Sequence, residues 1–263
     1  MTIIVTLAGI LFVLLAIINR GRGVKAFLSL FVNFFMIVAA VWLITKGWNA
    51  ILIAFIFSMV TSGFILFFIN GINSKTKISY YAVAVTLLLV GILILYVGYA
   101  GHLSGFGMHL NDMYYRYEPN VSINFTPVAI AVILIGLTGA ITDTALDIAT
   151  SLHEVHENNK HLSFKELIHS GNHMGKDILG TMINTLFFVF LGEIMAFILA
   201  FQRNGYSFSE IINEPFFLQE TAQLMVGCLG CILIIPITIL LQSYIYTKKA
   251  SPYKKSHRNE PRQ

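Results

Sequence analysis

Charge is what this chain has least of. Asp, Glu, Lys and Arg make up 11% of its 263 residues. A soluble domain carries about 25%. Against 56% hydrophobic residues, so little charge excludes an ordinary water-soluble fold and puts the chain in a bilayer. Cysteine is also scarce. The two present, Cys228 and Cys231, form "CLGC" inside an apolar run. A membrane thiol oxidase would need a second pair to relay electrons, so these two read as small packing residues. A phosphate-cradling glycine loop, a nucleophile–base pair and a nucleotide motif are all missing. The chain therefore does not drive pumping with ATP by itself. Its basic end, "TKKASPYKKSHRNEPRQ", has no soluble domain to present it to nucleic acid. It reads as a solvated stop signal that touches anionic lipid.

Long apolar runs are what the chain has in quantity. A span takes about 20 apolar residues, since about 30 Å of hydrocarbon is crossed at about 1.5 Å per residue. Seven stretches qualify: 2–18, 26–45, 49–69, 80–100, 126–146, 178–201 and 218–246. The fold class is therefore all-α, a polytopic membrane protein with about seven transmembrane helices. Residues 1–246 form one transmembrane domain, and 247–263 form a basic cytoplasmic tail. With the N-terminus outside, the segments 19–25, 70–79, 143–177 and 247–263 hold fourteen Lys and Arg, and the outer segments hold three. That bias gives an N-out/C-in orientation. The first run has no basic residue before it and is expected to stay as an anchor rather than be cleaved.

The remaining charge is concentrated. Residues 142–177 carry six of the thirteen carboxylates and five of the eight histidines. "HEVHE" looks like a zinc-protease motif, but His153 and His156 are three apart instead of four. His169, His173 and Asp177 do step by four. Glu166 with His169 gives one Glu-x-x-His, where di-iron bundles use two. A metal on His169, His173 and Asp177 would need further acids from a neighbouring helix, so the leading reading is a solvated polar face. His153, His156 and His161 read as solvated, and no cofactor is expected. His102 and His109 lie in a glycine-containing outer loop that does not favour a shared helical face.

Three acids sit deeper. Asp143 lies about 24 Å along a helix that starts at Pro127, still within hydrocarbon. Asp147 follows one turn later, and Glu193 sits in "FFVFLGEIMAFILA". Such residues usually face the bundle interior or a water path. They are the proton- or cation-binding candidates. Asp177 joins them, as does Asn184, which continues its face at i+7. Gln219, Glu220 and Gln223 read as polar groups bonding between helices. Residues 126–157 read as one long helix or one broken near Gly136–Gly139. Gly136, Ala140 and Thr144 make a small-residue strip. Ser163 with Glu166 forms a capping box, and the following helix could pause at Gly171 and Gly175.

"GLTGAITDTALDIATSLHEV" followed by "GNHMGKDILGTMINTLFFVFLGE" resembles the paired signature of the YibE/F family of bacterial polytopic membrane proteins. The matching positions are Gly136, Gly139, Asp143, Asp147, Ser151, Glu154, Gly175, Asp177, Gly180, Thr181, Asn184, Thr185 and Gly192, within a core of 126–201. The resemblance implies a bacterial plasma-membrane location and permease-like function. Longer members carry an extra extracytoplasmic domain, so it also implies a second YibE/F-like subunit as partner. Gly136, Gly139, Gly175, Gly180 and Gly192 are the expected helix-packing positions. The leading function is a permease or transport-complex subunit. The alternatives are a membrane enzyme with a cytoplasmic-face His/Asp site, or a non-catalytic scaffold.

Overall fold

The structure, a computed structural model, describes residues 2–103, 125–203 and 205–256. Every element in it is helical: α1 (Thr2–Thr45), α2 (Ala50–Phe64) continued by a π-helical turn (Ile65–Ile69), α3 (Ser74–Ala100), α4 (Thr126–Asn158), α5 (Phe164–Arg203), the short α6 (Phe208–Ile212) and α7 (Pro215–Ser256). Six helical segments among the described residues are long and apolar enough to cross a membrane: Gly21–Thr45, Ala50–Ile69, Ser74–Ala100, Thr126–Asn158, Phe164–Arg203 and Pro215–Lys248. Ile3–Asn19 is apolar but shorter.

The basic turn expected at 19–25 takes an unusual form. Helical backbone persists from Thr2 to Thr45, yet the Phe12 and Phe27 rings lie 5.0 Å apart. A straight helix would separate them by about 22 Å. The chain must therefore double back between them. Gly23 sits against the Leu15 carbonyl, where a Cβ would collide. Glycine is required there by that close approach.

α4 is the centre of the bundle, packed against α2, α3, α5 and α7. Ala129, Leu134, Leu137, Ile141, Ala145, Ile148 and Leu152 are buried along it. Of the two alternatives, one long helix or one broken near Gly136–Gly139, the structure has the first. Pro127 stands in the first turn, and the helix runs unbroken to Asn158. Glycine keeps its backbone hydrogen bonds, and neighbours on several sides hold the helix straight. Nor does α5 pause at Gly171 and Gly175. Both are buried and let α7 approach. A Cβ on Gly171 would stand 2.9 Å from Ile239, and one on Gly175 2.6 Å from Ile235. Gly230 does the same for α7 on α4, 2.9 Å from Ile141. Cys231 is buried, Cys228 is half-buried, and both are free thiols. Cys231 meets the Thr144 hydroxyl at 3.7 Å, in keeping with packing residues.

Hydroxyl pairs stitch the core. Ser58 accepts from Thr138 at 2.7 Å, Ser62 and Thr142 pair at 2.8 Å, and Ser79 donates to the Ala145 carbonyl at 3.2 Å. Lipid offers no hydrogen bonds, so polar side chains in spans find partners on other helices.

The contacts also sort the ends of the bundle. Lys25 lies over the Phe68 ring, 5.9 Å from its centroid, which brings the α1 bend to the end of α2. Ser79 near the start of α3 meets Ala145 in α4, and His153 of α4 meets Tyr246 of α7. The basic segments 19–25, 70–79 and 247–256 thus gather at one end. At the other end Gly98 packs on Ile130 and Phe197 on Phe216. His109 and most of the 101–124 loop lie outside the described residues.

Candidate functional site

α4 has two unlike sides. Its core side carries Ile141, Thr142, Thr144, Ala145, Ile148 and Ala149, all buried. Gly136, Gly139, Asp143, Asp147 and Glu154 are exposed. At about 100° per residue these five fall on one stripe away from the buried side, reached at its Gly136 end by Gln223 of α7. Of the two settings expected for Asp143 and Asp147, the bundle interior or a water path, the first does not hold: both are exposed. The interior side of α4 is filled by branched side chains and by threonines that bond α2, leaving no room for acids.

α5 repeats the pattern. Leu167, Gly171, Gly175 and Ile194 are buried, whereas Asp177, Gly180, Thr181, Asn184 and Thr185 are exposed. Asp177, Gly180 and Asn184 lie on the side of α5 away from the Gly171/Gly175 contact with α7. Thr181 donates to the Asp177 carbonyl at 3.2 Å, and Thr185 to that of Thr181 at 2.9 Å. Both hydroxyls thus back-bond within α5. Among the described residues no hydrogen bond or ion pair joins Asp143 or Asp147 to Asp177 or Asn184. The chain places these four on outward faces and does not close a site around them.

The candidate packing glycines divide accordingly. Gly136 and Gly175 are held by other helices: a Cβ on Gly136 would stand 3.1 Å from the Gln223 amide nitrogen, and one on Gly175 2.6 Å from Ile235. Gly139, Gly180 and Gly192 have nothing within 4 Å of that position. Their small size serves no contact among the described residues.

Glu193 is exposed on α5 and its carboxyl is hydrogen-bonded to that of Glu220 on α7. Glu220 is 9% exposed, and its neighbour Gln219 is 5% exposed. The amide oxygens of Gln219 and Gln223 are buried without a hydrogen-bond partner. Glu220 is the functional candidate that sequence reasoning passed over. Its signal was the 219, 220, 223 spacing in an apolar helix, which puts all three on one side.

His169, His173 and Asp177 are all exposed. Among the described residues no three His, Cys, Asp or Glu come together as a metal site. The reason is simple: i and i+8 on one helix are about 12 Å apart, and no neighbour brings further ligands. His153 and His156 are also not simply solvated. His153 Nδ1 and the Tyr246 hydroxyl are 2.8 Å apart. His156 stacks on the Tyr246 ring at 4.4 Å and 17°. Gln242 donates to the Ala149 carbonyl at 2.8 Å and to the Tyr246 hydroxyl at 3.1 Å. This cluster clamps α4 to α7. Beyond it the turn to α5 is wet. Glu157 and Lys160 pair at 3.8 Å with both side chains more than half exposed, a contact worth little in stability.

No curated protein and no solved structure matches the chain. The YibE/F-like protein family matches over residues 7–248, which includes both signature blocks and every helix that carries the acids. That match with the six apolar helices marks a membrane protein, and the chain belongs to the YibE/F-like family.

Proposed function

We propose that this chain is a subunit of a transport complex in the bacterial plasma membrane. It lies N-out/C-in with seven spans, the bend at 19–25 and the basic tail facing the cytoplasm. Asp143 and Asp147, with Asp177 and Asn184, line a path for a proton or cation. Glu193 serves deeper in the membrane. A second YibE/F-like membrane subunit covers the outward faces of α4 and α5.

One observation carries this reading. Asp143, Asp147, Asp177 and Asn184 are exposed on membrane-length helices, beside glycines with nothing against them. A charge at the bilayer centre costs at least about 2.5–3.5 kcal/mol, and lipid cannot satisfy a polar group. Such a face needs protein or water over it. Bare glycines suit close approach of another helix.

The test is proton flux. The chain, with its second family subunit, is reconstituted into vesicles holding a pH-sensitive dye, and a potassium diffusion potential is imposed. Flux above that of empty vesicles is expected, and Asp143→Asn and Asp147→Asn are expected to abolish it without loss of insertion. Unaltered flux in both variants would sink the proposal. Absence of flux in all three, with subunit association lost on Gly139→Val or Gly180→Val, would favour a non-catalytic scaffold.

A further inference from the structure

The Glu193–Glu220 pair lies apart from the Asp143/Asp147 stripe. It belongs to the junction where α7 meets α4 and α5. Gln219, Glu220 and Gln223 fall within about 100° of arc on α7. Glu220 faces α5, where its carboxyl meets that of Glu193. Gln223 faces α4, its amide against Gly136. Gln219, one turn before Gln223, is almost wholly buried. Both amide oxygens lack a hydrogen-bond donor, although a buried acceptor left unpaired costs about 1–3 kcal/mol. No described Lys or Arg pairs with either glutamate. Two touching carboxyls and two amide oxygens without donors thus stand on one side of the start of α7, with no positive charge paired to them among the described residues.

We propose that Glu193, Glu220, Gln219 and Gln223 form a binding site for a hard monovalent cation of sodium size. An all-oxygen set selects a hard ion over a soft one. Calcium takes about 6–8 oxygens, and this set reaches only the lower end, six, with both carboxylates binding through both oxygens. Two hydrogen-bonded carboxyls hold one proton between them. A monovalent ion entering as that proton leaves keeps the site's net charge at minus one, so the exchange adds no charge to the low-dielectric interior. The two carboxylates and two amide oxygens then all face the ion, and no acceptor is left over. The inference rests on the transport reading only for what the site is used for. Binding is measured without transport, so the two can fail separately.

The experiment is isothermal titration of the detergent-purified full chain with sodium chloride. Lithium, potassium and calcium chlorides follow, and choline chloride controls for ionic strength. Saturable sodium binding near one ion per chain is expected, with loss in Glu220→Gln. The double variant Gln219→Leu, Gln223→Leu is expected to weaken binding at least about tenfold, since two of four ligands are gone. Glu157→Gln, in the wet turn beyond the bundle where Glu157 pairs with Lys160, should bind sodium like the unaltered chain. Each variant is checked for a single monodisperse peak. If a variant aggregates, the milder Glu220→Asp, expected to weaken binding, replaces it. No sodium binding by the well-folded wild-type chain would overturn the proposal. So would equal binding in Glu220→Gln, or saturation by calcium with none by sodium.

Discussion

Single residues decide where this chain can touch its surroundings. Gly175 and Gly180 are five positions apart on α5 and look alike in sequence, but their environments are opposite. A Cβ on Gly175 would meet Ile235 at 2.6 Å, and one on Gly180 would meet nothing within 4 Å. Val at 175 overpacks the α5–α7 contact and should lower stability by about 1–3 kcal/mol. Val at 180 enters open space and should stay within about 0.5 kcal/mol of the parent. Thermal unfolding of both variants, purified without other subunits, checks this. Equal destabilisation would mean that the Gly180 face is not open. The same contrast bears on the acids. The sequence leaves Asp143 and Asp147 either in the bundle interior or on a water path, because charge avoids lipid; their exposure removes the first setting, and each has to avoid lipid only in the assembled complex.

Elements were the most legible level. Hydrophobic length is a property of the sequence alone, so the spans at 80–100, 126–146, 178–201 and 218–246 fall within helices of the structure, and 49–69 does so but for its first residue, the cap of α2. Pro127 at the start of α4 and the Ser163 cap of α5 were also legible. Each is a local chemical device, and Glu166 does accept from both the Ser163 amide and its hydroxyl at 2.7 Å. Which side of each helix faces inward was not legible. In water the polar side marks the outside, whereas in lipid both sides are apolar and the contrast vanishes. The Ser58–Thr138 and Ser62–Thr142 pairs and the Tyr246 clamp were missed for that reason. The α6 turn offers a test at this scale. The Ser207 hydroxyl and amide both donate to Glu210 at 2.7 Å, and they hold its carboxyl below the ordinary 4.5. A depressed folded value means that the cap favours the turn above the unfolded value. Its contribution is lost as pH falls through the folded one. Amide exchange at Ile211, whose N–H bonds the Ser207 carbonyl at 3.1 Å, should therefore quicken on acidification below 4.5. Ser207→Ala should bring the Glu210 midpoint back toward the ordinary value. An Ile211 exchange rate that ignores this pH range would exclude the cap as the cause.

At the scale of the whole molecule the parity of the spans turns on the first helix. Ile3–Asn19 covers about 25 Å, some 5 Å short of an average hydrocarbon core. A shortfall of that size is met by local thinning at fractions of a kcal/mol per Å, so it does not prevent crossing. Two features favour crossing. The doubling-back that sets Phe12 on Phe27 makes the first stretch antiparallel to Gly21–Thr45, as a crossing hairpin requires. Lys25 over Phe68 puts the bend at the same end as the basic 70–79 turn, the arrangement that charge bias demands. With seven spans the two termini lie on opposite sides; with six, Ile3–Asn19 lies along the interface and the termini share a side. A phosphatase active only outside the cytoplasm, fused at the N-terminus, should therefore be active. A fluorescent protein that matures only in the cytoplasm, fused at the C-terminus, should glow. Cytoplasmic signal from both ends would reduce the count to six and leave the exposed apolar side chains of Ile3–Asn19 lying in the plane of the membrane.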